Sequence, residues 1–182
     1  MKMQSIMLRG HDVLLVDGYN VTNQWLDAGF LQPGELEYVR QQLITLLSSM
    51  AGFWDIKCLL VFDAHLVKDN LGSSEEISPN LCVVFTPENQ TADSVIERLS
   101  VELDTKEQSV LVCTSDGAEQ NIVLSQGASR ISTREFLQEV KQAKREMNNT
   151  YSHHPSNAQR NWLEDSLPEN IRVALDHLRH KK

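Results

Sequence analysis

Short continuous apolar runs alternate along the chain with stretches in which apolar residues recur every three or four positions. The runs are Val13-Leu14-Leu15-Val16, Cys58-Leu59-Leu60-Val61-Phe62, Leu81-Cys82-Val83-Val84-Phe85 and Val110-Leu111-Val112-Cys113. Each is apolar at every position, the pattern of strands covered on both faces in a parallel sheet. After the first run, Leu36, Val39, Leu43, Ile44, Leu46 and Leu47 recur at helical spacing. After the third, Ala92, Val95, Ile96, Leu99, Val101 and Leu103 form largely one helical stripe from about Thr91. A helix over about 116–125 follows the fourth run, with Asp116 and Glu119 in capping-box spacing and Gly127 beyond its end. Ser129–Ile131 reads as a short last strand, and Ser132, three residues before Glu135, opens a helix to about Met147. This alternation predicts an α/β fold, an open and mainly parallel sheet flanked by helices.

Residues 148–165 are polar and turn-rich and read as a linker or mobile loop. Ser166-Leu167-Pro168-Glu169 then has capping-box spacing ahead of Ile171, Leu175 and Leu178, which predicts a C-terminal helix over 166–180. No internal repeat is visible.

The chain has 182 residues, 41% of them hydrophobic, enough for one domain with a terminal appendage. No apolar run approaches the roughly 18 residues of a membrane span, and Met1–Gly10 lacks the apolar stretch of a secretory signal. The expectation is a soluble protein without membrane contact. Cys58, Cys82 and Cys113 are odd in number and each lies in an apolar run, which predicts buried thiols in a reducing compartment.

Charge is unevenly placed. The net charge is −8, but residues 1–133 carry 8 basic against 18 acidic side chains, while residues 134–182 carry 9 against 7. An acidic body neutralises few phosphates and recruits nucleic acid poorly by itself. RNA reaching it has to be presented, or met through metal ions and a few local cations.

Three strands finish in aspartate: Asp17 follows Val16, Asp63 follows Phe62, and Asp116 comes shortly after Cys113. In open α/β sheets ligands bind beyond the carboxyl ends of the strands, so these three side chains can converge, and Asp93 can reach them from the start of the helix after the third run. Such carboxylates cannot sit together without raising one another's pKa or taking up a cation. All-oxygen ligation suits Mg²⁺ or Mn²⁺, the chemistry of metal-dependent phosphodiester hydrolysis. Each aspartate also has an ordinary reading as a helix or turn cap.

Asn20, three residues beyond Asp17, either positions a phosphate, orients a carboxylate or caps a helix. His65 is a proton carrier or a loop residue, and Ser115 can bond a phosphate. Lys141, Lys144 and Arg145 form a basic strip on the 132–147 helix, an RNA contact or a solvated face. His153-His154 lack accompanying ligands at metal spacing. No Walker A, Gly-x-Gly-x-x-Gly or Gly-x-Ser-x-Gly motif is present, so neither a nucleotide cofactor nor a serine nucleophile is expected.

These residues resemble the YacP-like NYN-domain family, within the PIN-like ribonuclease fold. The resemblance rests on Leu14-Leu15-Val16-Asp17-Gly18-Tyr19-Asn20, on Val61-Phe62-Asp63-Ala64-His65-Leu66-Val67-Lys68, and on Val84-Phe85-Thr86 through Glu88-Asn89-Gln90-Thr91-Ala92-Asp93. Thr114-Ser115-Asp116 and the Gln126-Gly127-Ala128 turn complete it. The set runs in the family's order over roughly residues 12–145, while nothing is carried over to 148–182. It implies a three-layer, Rossmann-like nuclease domain over 1–147. It further implies an Mg²⁺-dependent (or Mn²⁺-dependent) endoribonuclease that cleaves mRNA in association with the ribosome. The acidic, metal-holding centre would be Asp17, Asp63, Asp93 and Asp116, with Asn20 beside it. Ser115, His65 and Lys68 are, separately from the resemblance, candidate RNA contacts. The matching compartment is a bacterial cytoplasm or a plastid stroma.

Two other classes compete. One is a non-catalytic RNA- or ribosome-binding module with the same fold, although no ligand-type residue is missing here. The other is a phosphoryl-transfer or receiver domain. Asp17-Gly18-Tyr19 lacks the second carboxylate of a haloacid-dehalogenase motif, and Ser132-Thr133 stands where a receiver has its lysine.

Overall fold

The computed structural model describes residues 8, 10–64, 71–106, 108–114 and 128–152. Its elements are β1 (Val13–Asp17), α1 (Gly18–Asp27), α2 (Leu36–Trp54), β2 (Lys57–Phe62) and β3 (Ser73–Ser78). There follow β4 (Leu81–Phe85), α3 (Ala92–Asp104), β5 (Val110–Thr114), β6 (Ser129–Ser132) and α4 (Thr133–Ser152). Among the described residues the strands form one six-stranded sheet in the order β3-β4-β2-β1-β5-β6. All neighbours pair in parallel except β3 with β4. The expected α/β architecture with a mainly parallel sheet is the one present.

Alternation along the strands sorts side chains onto two faces. Val13 and Leu15 of β1, Val61 of β2, and Val110 and Val112 of β5 pack with Ala92, Val95 and Ile96 of α3. The opposite face is covered by α1, α2 and α4. Phe136 of α4 lies 5.4 Å from the Trp25 ring of α1 and 6.0 Å from the Trp54 ring of α2, and all three side chains are buried. The Trp25 indole N–H donates to the Thr133 carbonyl at 3.2 Å, so the buried ring keeps its hydrogen bond.

The expected capping box at the start of α4 is present in full. Ser132 N–H and Oγ donate to a Glu135 carboxylate oxygen at 2.9 and 2.7 Å, and the Glu135 N–H donates to Ser132 Oγ at 3.2 Å. The Ser132 backbone N–H and then its hydroxyl hold the Glu135 pKa below the ordinary glutamate value. That contribution is present above the ordinary value and is lost as pH falls through the depressed one. Ser132→Ala is expected to cost about 1 kcal/mol, read as a lower urea midpoint with an unchanged slope, and to flatten this acid-side dependence.

Two elements depart from the expectation. Residues 18–27, to which the sequence pattern assigns no element, form α1, and the polar segment Ser73–Ser78, likewise unassigned, forms edge strand β3. The 148–165 linker also starts too early, because α4 runs on through Ser152. Asn148 and Asn149 are weak helix formers, but neither Gly nor Pro stops the helix before Pro155. Cys58 and Cys113 are buried as expected, with burial pushing the Cys58 thiol up to about 12, whereas Cys82 is only half-buried. The predicted 116–125 helix, the rest of the linker and the 166–180 helix lie outside the described residues. No helix among the described residues is long and apolar enough to cross a membrane.

Candidate acidic site at the carboxyl edge of the sheet

The parallel register places the ends of the central strands side by side. Asp17 is level with Val61, one residue before the end of β2, and Val16 is level with Cys113 on β5. Asp17 shares the alternation of Val13 and Leu15, and Asp63 that of Val61, so both belong to the α3 face. Asp93 stands in the first turn of α3, whose N-cap is Thr91. Three of the four expected carboxylates are thus brought to one corner by β1, β2 and α3. Asp116 and its neighbour Ser115 lie outside the described residues, as do His65 and Lys68.

Asp17 is half-buried and caps α1, with Oδ1 accepting from the Asn20 backbone N–H at 3.0 Å. Asn20 therefore lies inside the helix, and its backbone, not its amide, holds Asp17. Burial raises the Asp17 pKa above 3.8. The Asn20 N–H opposes that rise, and the charges of Asp93 and, more weakly, Asp63 add to it.

Asp63 is positioned by a residue that the sequence pattern did not single out. Thr86, fully buried one residue beyond β4, accepts from the Ala64 N–H at 2.9 Å, and its hydroxyl donates to Asp63 Oδ1 at 3.4 Å. The Thr86 N–H donates to the Phe62 carbonyl at 3.0 Å. One threonine thus ties the chain after β2 to the end of β4. Thr86→Val is expected to destabilise the protein by about 1–3 kcal/mol, because the Ala64 N–H is left unpaired. In chemical denaturation Thr86→Ser should restore the midpoint.

Across the sheet edge, on the α2 face, Tyr19 meets Phe62 edge-on at 5.1 Å and Phe62 stacks on Phe85 at 5.7 Å. The Arg40 guanidinium lies over both rings, 5.8 Å from Phe62 and 5.1 Å from Phe85, and pairs with Glu37. Gly18 makes this packing possible, since a Cβ there would sit 2.4 Å from the Phe62 ring. The expected basic strip is elsewhere: Lys141 and Lys144 lie over Phe30, 5.6 and 4.8 Å from its centroid, and Arg145 is exposed on α4. Along α4 these lysines are roughly 12–16 Å from the strand edge, so they do not join the carboxylates.

Asp17 and Asp63 are half-buried and Asp93 is exposed, and oxygen donors of like charge placed together suit a hard divalent cation. Among the described residues no three His, Cys, Asp or Glu side chains form a ready ligand set. Mg²⁺ does not require one, since it keeps several waters and is held by one or two carboxylates.

A profile of the YacP-like NYN domain matches residues 14–180. The chain belongs to the YacP-like NYN family. It is 38% identical over 134 residues to YacP, an uncharacterised protein of Bacillus subtilis (strain 168), covering 74% of this chain and 78% of that one. Two crystal structures of Rae1 (YacP) from Bacillus subtilis share the fold. A mutant form has a TM-score of 0.67 at 31% identity, covering 92% of this chain and 99% of that one. The second has a TM-score of 0.64 at 32% identity, covering 93% and 95%. The fold is accordingly a ribonuclease-like one, and the family match extends through the segment after the basic helix.

Proposed function

We propose that this protein is a divalent-metal-dependent endoribonuclease that cleaves mRNA on the ribosome. The observation that carries the reading is electrostatic: the charges of Asp93 and Asp63 both act on half-buried Asp17 at the ligand-binding edge of the sheet. Asp17 also caps α1, but the repulsion it meets from the other two carboxylates is relieved only by a ligand of opposite charge, which supports the reading.

Asp17 and Asp93 would hold the ion, with Asp63 and Asp116 completing the acidic centre or orienting water. When bound, Mg²⁺ or Mn²⁺ supplies a water of lowered pKa and polarises a phosphoryl oxygen. The chain's own groups do the rest. Thr86 fixes the Asp63 carboxylate, the Asn20 backbone N–H fixes Asp17, and the Asn20 amide is left to position the phosphate. Residues 1–133 are net acidic, so RNA is best delivered by a host that has already bound it, as the ribosome binds mRNA.

Mapping new 5′ ends on one mRNA, naked and under translation, tests the reading. Position-specific cuts that need Mg²⁺ and appear only during translation are expected. Cutting of naked RNA at equal rates would remove the ribosome from the proposal. Ribosome binding with no cut at any Mg²⁺ or Mn²⁺ concentration would favour a non-catalytic binding module.

A further inference from the structure

A second cationic feature lies away from the acidic edge. Phe30 and Leu31 after α1, Tyr38, Gln41, Gln42, Thr45 and Leu46 of α2, and Lys144 of α4 line a cleft of about 390 Å³. The cleft is built rather than incidental. Gln42 ties α2 to the preceding loop twice, accepting from the Gln32 N–H at 3.0 Å and donating to the Gln32 carbonyl at 2.8 Å. The Phe30 ring is held against Trp25 at 5.4 Å and gathers the Lys141 and Lys144 ammonium groups over itself. Tyr38 packs on Gly34, where a Cβ would come within 2.6 Å of Cδ1, yet remains 53% exposed.

We propose that this cleft is a binding subsite for single-stranded RNA flanking the scissile bond. Paired ammonium groups beside an exposed aromatic ring are the combination that takes phosphates and stacks a base without reading sequence. Lys141 and Lys144 neutralise phosphates, Tyr38 stacks a base, and Gln41 offers an amide to a base edge. The two lysines belong to the chain's net-basic segment, residues 134–182, and a polyanion is the occupant that complements them. α1 carries the chain from Asp17 to this cleft over ten residues, about 15 Å. A strand at the ~3.4 Å stacked rise covers that distance in roughly four nucleotides. The subsite rests on the proposed RNA-cleaving function but is tested separately from it.

The test measures binding of a fluorescent single-stranded RNA oligonucleotide to the full chain in EDTA across a salt series. The proteins compared are wild type, Asp17→Asn, Lys141→Gln/Lys144→Gln and Tyr38→Ser. Both lysines are exposed, so the double variant should fold, which circular dichroism checks. The lysine variant is expected to flatten the slope of log K against log salt by about 1.4. Tyr38→Ser should weaken binding about fivefold to a hundredfold, and Asp17→Asn should bind at least as well as wild type. Wild-type affinity in the lysine and tyrosine variants would overturn the subsite, as would no wild-type binding at low salt. Either result leaves cleavage of ribosome-presented mRNA, which is assayed independently, untouched. Unchanged RNA binding with a variant-dependent change of mass in light scattering would assign the cleft to a second copy of the chain and likewise overturn the proposal.

Discussion

Asp17→Asn is expected to raise the melting temperature of the protein while removing RNA cleavage. Asparagine caps a helix as well as aspartate does, so the acceptor for the Asn20 N–H is kept. What disappears is a half-buried negative charge that burial penalises and that Asp93 and Asp63 repel. Relief of that kind is worth about 1 kcal/mol, or ~2–4 °C for a chain of this size. The sign of the pH dependence follows from the raised pKa. Folded Asp17 takes up its proton more readily than unfolded Asp17, so the wild type loses stability relative to the variant as pH rises from the ordinary value of 3.8 through the raised one. The gap between the two melting curves should be full at neutral pH and close in acid. Asp93→Asn relieves the same repulsion but gives up a carboxylate in the first turn of α3, where it favours the helix dipole, so its thermal gain should be smaller. Cleavage should fall by more than about a hundredfold in both, beyond the loss seen when only the groups supporting a metal ligand are altered. Undiminished cleavage would remove these two residues from the centre.

Among the described glycines, Gly18→Ala should give the tightest clash. Its φ is not positive, so the requirement is one of space: the new Cβ would stand 2.4 and 2.5 Å from Cε1 and Cδ1 of Phe62. That ring is fully buried, with Tyr19, Phe85 and Arg40 around it, and has nowhere to turn. Overpacking of this sort costs about 1–3 kcal/mol, roughly 2–12 °C in melting temperature. The strain falls on the first residue of α1, directly after Asp17, so activity should drop with it. Phe62→Leu in the same chain should recover part of the loss, a coupling measurable in a double-mutant cycle. Strictly additive effects would show that the ring is not what excludes a side chain at residue 18.

The central strands, α2, α3 and the start of α4 were legible because burial on both faces leaves an uninterrupted apolar run and burial on one face leaves a helical stripe. The placement of Asp17 and Asp63 at the carboxyl edge was legible for a related reason, since each follows an uninterrupted apolar run. β3 was not, because Ser73-Ser74-Glu75-Glu76-Ile77-Ser78 lies at the edge, is largely exposed, and carries no alternation to read. α1 escaped because Gly18-Tyr19-Asn20 has the composition of a turn, and only packing against Phe62 explains the glycine. Thr86 and Arg40 act through contacts between elements distant in sequence, which no local pattern encodes. The lysines of α4 were visible as a strip, but their grouping over Phe30 was not, for the same reason.

The central claim, that Asp17, Asp63 and Asp93 form a cation-dependent centre for RNA cleavage, is tested most directly by titrating Mn²⁺ into wild type, Asp17→Asn and Asp93→Asn. Bound Mn²⁺ is counted by electron paramagnetic resonance, and cleavage of translated mRNA is followed in the same samples. The account predicts that wild type binds Mn²⁺ and that cleavage rises with occupancy, while both variants lose binding and cleavage together. Cleavage persisting in EDTA, or variants that cut as wild type does without bound Mn²⁺, would contradict it.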